Sequence, residues 1–212
     1  MEGEERMMKF LKRMVLLLLI LAAAAAPANV QAASQKAKAV KAYKNMLSKK
    51  TMHWGNNKDF DIPVKNCVFA TVYIDKDSVP ELIVHSPDIP HWSDCSVLYR
   101  YKNGKVQEVK SFSADDRFTY YKKKGVFVGS DLSSGIVKSV YYQLSKGKAS
   151  AKLTVNKNVA GIGGKWTKYY SGKKQVTKSQ FNKSLKKMAG ARKKTTVKLH
   201  KNTAGNRGRY LK

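Results

Sequence analysis

Asp75 and Asp77 stand at alternate positions in a short polar turn, and Glu81 follows at the head of the apolar run Glu81-Leu82-Ile83-Val84. Carboxylates spaced in this way can converge on one hard cation, because Ca²⁺ takes several oxygen ligands from a flexible loop. A second cluster lies just downstream, where His85, Asp88, His91, Asp94 and Cys95 share a proline-punctuated loop with Trp92. His and Asp suit zinc, but no pair here has a standard ligand spacing. Trp92 and the nearby Trp54 are candidates for an aromatic contact surface, although buried tryptophan is the commoner outcome. Acid–base catalysis would draw on Asp75, Asp77, Glu81, Asp115, Asp116 and Asp131, of which two would have to face each other across a cleft. The stretch Gly129 to Gly135 lacks the spacing of a nucleophile elbow and reads as a loop. No catalytic residue is assigned, and no cofactor is expected beyond calcium at Asp75, Asp77 and Glu81.

The elements that must hold these residues are legible from periodicity. Ala37, Val40, Tyr43 and Leu47 recur at helical spacing after Ser34, a good N-cap, so a helix is expected over Ser34 to Lys49. From Cys67 the period becomes that of strands: Cys67 to Ile74, Glu81 to His85, and Ser96 to Lys102 turning at Asn103-Gly104 into Lys105 to Ser111. Asn-Gly favours the hairpin turn whose two central residues have positive φ. Phe118 to Lys122, Val126 to Ser130, Ile136 to Leu144 and Ala149 to Val155 continue the series across glycine-containing turns. A C-terminal helix is expected from Lys178 to Ala189. Thr177 and Gln180 form a capping box, Val176 and Phe181 occupy staple positions, Phe181, Leu185 and Met188 make one stripe, and Gly190 ends it.

Charge and targeting set the surroundings. The apolar run Met14 to Ala26 follows Lys9, Lys12 and Arg13 and precedes Val30-Gln31-Ala32, the layout of a cleaved secretory signal peptide over 1–32. Its apolar part is shorter than the roughly 20 residues a membrane helix needs, so no transmembrane anchor is expected after the leader is removed. In an oxidising compartment two cysteines read as a bridge, here Cys67 to Cys95. Net charge is +28, and it is uneven: Asp131 is the last acid, and 21 Lys or Arg follow it. Such a field attracts polyanions and weakens as salt rises. Specific reading of nucleic acid is not expected, since no recognition helix or RNA-binding signature is present.

The segment from Asp75 to Glu81 resembles the Asp-rich calcium loops of integrin-type and dockerin-type modules, although Tyr73 and Ser78 replace the first Asp and the Gly of their pattern. The chain also resembles a group of uncharacterised secreted proteins of Gram-positive anaerobes. The matching pieces are Asp75 and Asp77 with Glu81-Leu82-Ile83-Val84, the hairpin Tyr101 to Val106, and Asn202-Thr203-Ala204 near a lysine-rich end. That resemblance implies export and fold, and no activity. The expectation is one α+β domain over 33–190, an antiparallel meander of about eight short strands between two helices, followed by a basic tail over 191–212. It would be a non-catalytic protein, secreted or wall-associated, that binds anionic wall or extracellular polymers through Lys193, Lys194, Lys198, Lys201, Arg207 and Arg209. The alternative is a small secreted hydrolase using the carboxylates near Asp75 to Glu81.

Overall fold

The computed structural model describes residues 33–54, 57–90, 94–113, 117–161 and 163–212, together with Met7 and Met14. The rest of the expected leader lies outside the described residues, as do His91, Trp92, Asp115 and Asp116. Helix α1 spans 33–47, followed by β1 (Thr51–Trp54), β2 (Asn57–Pro63) and a 3-10 turn at Val64–Asn66. Next come β3 (Val68–Val72), β4 (Glu81–His85), β5 (Ser96–Lys102), β6 (Lys105–Phe112), β7 (Arg117–Tyr121) and β8 (Val126–Ser133). The series continues with β9 (Ile136–Ser145), β10 (Lys148–Asn158), β11 (Thr167–Ser171), β12 (Lys174–Val176) and helix α2 (Lys178–Ala189). The chain closes with β13 (Thr195–Lys198), β14 (His200–Lys201) and α3 (Ala204–Tyr210).

All strand pairing is antiparallel, as expected, but the meander divides. Beside the β1-β2 hairpin there is a five-stranded sheet in the order β14-β3-β4-β5-β6 and a seven-stranded sheet in the order β12-β11-β10-β9-β8-β7-β13. Every residue of β4 is buried, so its sheet is covered on both faces. One face carries Phe69, Leu82, Val84, Val97 and Tyr99, which pack against Ala39, Tyr43 and Leu47 of α1 and against Trp54 and Ile62. The other carries Ala70, Val72, Ile83, Leu98 and Phe112 and meets Phe118, Tyr120, Phe127 and Leu144 of the seven-stranded sheet. The outer face of that second sheet receives Leu185, Met188 and Ala189 of α2 on Tyr121, Val126, Val128 and Tyr141. The result is helix, sheet, sheet, helix in four layers.

Local chemistry explains the joints. Asn103-Gly104, Ser134-Gly135 and Lys146-Gly147 each place two successive residues at positive φ, the geometry that turns an antiparallel pair in two residues. The stretch Gly129 to Gly135 is therefore no loop, because β8 runs to Ser133 and pairs with β9 beyond it. At α2, Thr177 Oγ1 accepts from the Gln180 N–H and Gln180 Oε1 from the Thr177 N–H, the expected capping box. Phe181 is buried against the rings of Tyr141 and Tyr169. At α1 the buried stripe is Ala39, Tyr43 and Leu47; Ala37 is exposed, and Ser34 is not its cap because Ala33 is already helical.

Residues 191–212 are built into the fold. β13 pairs with β7, β14 pairs with β3, and Leu199 and Leu211 are buried. Asn202 ties this segment to the N-terminal half: its Nδ2 donates to the carbonyls of Leu47 at 2.8 Å and Val64 at 2.9 Å, and its Oδ1 accepts from Arg207 Nη1 at 2.9 Å.

The expected Cys67–Cys95 bridge is absent, and the register shows why. Val68 pairs with His85 and His85 with Ser96, so Cys67 and Cys95 flank Ser86, whose N–H donates to the Cys95 carbonyl. Two interstrand spacings separate the cysteines by about 9–10 Å between Cα atoms, beyond the reach of a disulfide. Cys67 Sγ instead faces the Pro63 carbonyl at 3.8 Å.

Two outcomes are expected. Replacing Asn202 with Ala removes one donor from each of the Leu47 and Val64 carbonyls and takes the Oδ1 acceptor from Arg207, and should cost roughly 2–3 kcal/mol in urea denaturation. Both cysteines should resist thiol reagent in the folded protein and react on unfolding, with and without reductant alike; a reductant-dependent difference would restore the bridge.

Candidate functional site

Two features gather the chemistry-bearing residues, a pocket at the edge of the sheet sandwich and a lysine surface. The pocket forms where three connections converge: the β3–β4 loop, the end of β5 and the β9–β10 turn. It has a volume of about 250 Å³ and is lined by Asp75, Asp77 and Glu81 together with Arg100, Lys102, Lys146 and Gly147. The three carboxylates singled out in the sequence therefore do share one cavity.

Their local bonds follow from the turn. Asp75 Oδ1 accepts from the Asp77 N–H at 3.0 Å, and Asp77 Oδ1 accepts from the Val79 N–H at 2.8 Å, so each aspartate shapes the loop with one oxygen. Glu81 is 3% exposed, and its Oε2 accepts from the Ile74 N–H at 2.9 Å. Burial above all, and then the charge of Asp75, push its carboxyl up to about 8. Burial also raises Asp77, with Asp75 adding to the effect. Among the described residues no three acidic, histidine or cysteine side chains form a group arranged to hold a metal ion.

The opposite wall was not legible as a site. Arg100 follows Val97-Leu98-Tyr99, and an arginine breaking such a run is the one signal that marks it. The register that pairs Leu82 with Tyr99 puts Arg100 across from Glu81, yet the two form no ion pair. Arg100 Nη2 donates to Gln107 Oε1 at 3.0 Å, and the guanidinium lies so close over Gly147 that a Cβ there would overlap it. Lys102 and Lys146 complete a cationic rim.

Among the described residues the second cluster does not assemble. His85 is buried with Nδ1 at 3.0 Å from Ser96 Oγ, Asp88 accepts from Asn66 Nδ2, and Asp94 accepts from Ser111 Oγ. Trp54 is a core residue whose Nε1 donates to the Asp94 carbonyl, so it offers no contact surface. Cys67, pushed up to about 12 by burial and then by Asp88, is no nucleophile.

On the lysine surface, the basic residues beyond Asp131 point outward. All are exposed except Arg207, which is half-buried and donates to Asn202 Oδ1 and the Leu47 carbonyl. Of the six residues expected to meet a polyanion, Lys193, Lys194, Lys198, Lys201 and Arg209 are available, and Arg207 is structural.

No protein-family model matches the chain, and no curated protein matches it. The chain is similar to a solved structure described as that of a Xanthomonas type IV secretion system related protein. Identity is 14% and the TM-score 0.41, over 51% of this chain and 57% of that one. A likeness of that size carries no argument.

The buried carboxyl has a measurable consequence. Because Glu81 holds its proton more tightly when folded, its contribution to stability is full below its unfolded value of 4.5 and is lost as pH rises to about 8. Glu81→Gln keeps an acceptor for the Ile74 N–H and removes the titration. Urea midpoints from pH 4 to 9 should fall more steeply in the parent protein than in this variant; parallel curves would contradict the assignment.

Proposed function

We propose that this is a non-catalytic protein that works outside the cell, at the envelope or in the surrounding medium, and binds anionic polymers by charge. The observation that carries the reading is the outward display of the basic residues after Asp131, all exposed but Arg207, on a segment with no acid to offset them. Among the described residues no carboxylate pairs with any of them, so their charges are available to a polymer. Strand pairing in the seven-stranded sheet and the capped α2 hold many of these lysines at set positions, which favours a repeating anionic backbone over a single small anion. Export rests on the layout of residues 1–32.

Release of counterions drives such binding, so affinity should fall steeply with salt. Removing the end of the chain is the wrong test, since β13 belongs to the seven-stranded sheet, β14 to the five-stranded sheet, and Leu211 after α3 is buried in the core. Five substitutions to Gln at Lys193, Lys194, Lys198, Lys201 and Arg209 remove charge and keep length. Binding to purified cell wall, to a heparin-like polymer and to DNA should weaken about ten-fold or more in this variant, with a shallower dependence on salt. Arg207→Gln should alter thermal stability far more than the salt slope. Binding that ignores ionic strength, or equal affinity in the five-fold variant, would overturn the reading.

A further inference from the structure

We infer that the pocket between the β3–β4 loop, the end of β5 and the β9–β10 turn binds a zwitterionic small molecule of amino-acid or dipeptide size. Its ammonium would lie against Asp75, Asp77 and Glu81, and its carboxylate against Arg100, Lys102 and Lys146.

Two walls of opposite sign line this one cavity, and among the described residues no ion pair joins them. Acidic and basic groups that could pair across the cavity are held apart by the fold. Glu81 is fixed by the Ile74 N–H, and its cross-strand neighbour Arg100 is drawn aside by Gln107 and laid over Gly147. Gly147, at φ +76° and without room for a Cβ, keeps the guanidinium there. The Nε of Arg100 is buried and has no acceptor. Arg100 lines the cavity, and a carboxylate is the acceptor that a guanidinium matches best.

The charge pattern selects the ligand class. A metal cation or a simple amine would meet Arg100, Lys102 and Lys146, and a phosphate polymer would meet the acidic wall; each is favoured by one side and opposed by the other. Only a molecule carrying both signs satisfies both walls. The cavity of about 250 Å³ has room for a free amino acid or a dipeptide. The pocket is thus separate in chemistry from the lysine surface, whose targets carry one sign. An ammonium seated beside Glu81 would also favour its carboxylate form, so binding at neutral pH should release a proton.

The test uses the full chain and isothermal titration with free L-amino acids and glycyl dipeptides. Each binder is compared with its N-acetyl derivative, which lacks the ammonium, and with its amide, which lacks the carboxylate. At least one zwitterion should bind with a dissociation constant below about 1 mM, and both single-charge analogues should bind at least about ten-fold more weakly. Asp77→Asn and Lys146→Glu, both at exposed positions, should weaken binding without lowering the melting temperature. Arg100→Gln should do so more strongly. Heats measured in buffers of different ionisation enthalpy should report proton release in the parent protein and none in Glu81→Gln. Binding of the N-acetyl form or the amide as tight as that of the zwitterion would overturn the inference. So would calcium occupying the pocket in its place, or the absence of any binder in this panel.

Discussion

The five-stranded sheet has to be covered on both faces, and most of the architecture follows from that requirement. β4 is buried at every position, and β3 and β5 send alternate residues into two separate cores. A sheet of this kind exposed on either side would leave a large apolar patch in water, at about 25 cal/mol per Å² of apolar surface. Helix α1 and the β1-β2 hairpin cover one face, and the seven-stranded sheet covers the other. The second sheet then has an outer face of its own, which α2 closes. Residues 191–212 contribute to both sheets and to the α1 layer through Leu211, and Asn202 joins that segment to two buried carbonyls far away in sequence.

The same layering sorts the charges. Apolar side chains of the second half turn toward the two cores, so its lysines are left on the outside, where hydration of the ammonium costs nothing. Acids occur only up to Asp131, and three of them are brought to the pocket at the sandwich edge. A surface of one sign and a cavity of two signs thus belong to the same molecule. They answer to different physics, since the first is long-ranged and screened by salt, and the second acts at contact distance in a partly dry cavity.

Some elements were legible because their cause is local. The capping box at Thr177 and Gln180 and the turn at Asn103-Gly104 depend on neighbours only a few residues away, and both take the expected form. The strands β11 to β14 went unread because they are short and largely polar; they exist through pairing with longer strands rather than through any apolar alternation of their own. The cysteines failed as a bridge for a related reason. An even count of cysteines says nothing about register, and register puts β4 between them.

What the sequence determined alone was whatever short-range chemistry can specify: the α+β class, the antiparallel hairpins, the C-terminal helix, and the segregation of acids and bases along the chain. It also marked Asp75, Asp77 and Glu81 as a set, because turn geometry brings alternate carboxylates together. The tertiary structure alone decided that the meander splits into two packed sheets, that Arg207 turns inward while its basic neighbours stay exposed, and that Arg100 and Lys146 face the carboxylates. Those outcomes depend on contacts between residues tens of positions apart, and such contacts are chosen by which apolar faces can bury one another, a property of the whole chain that no local pattern contains.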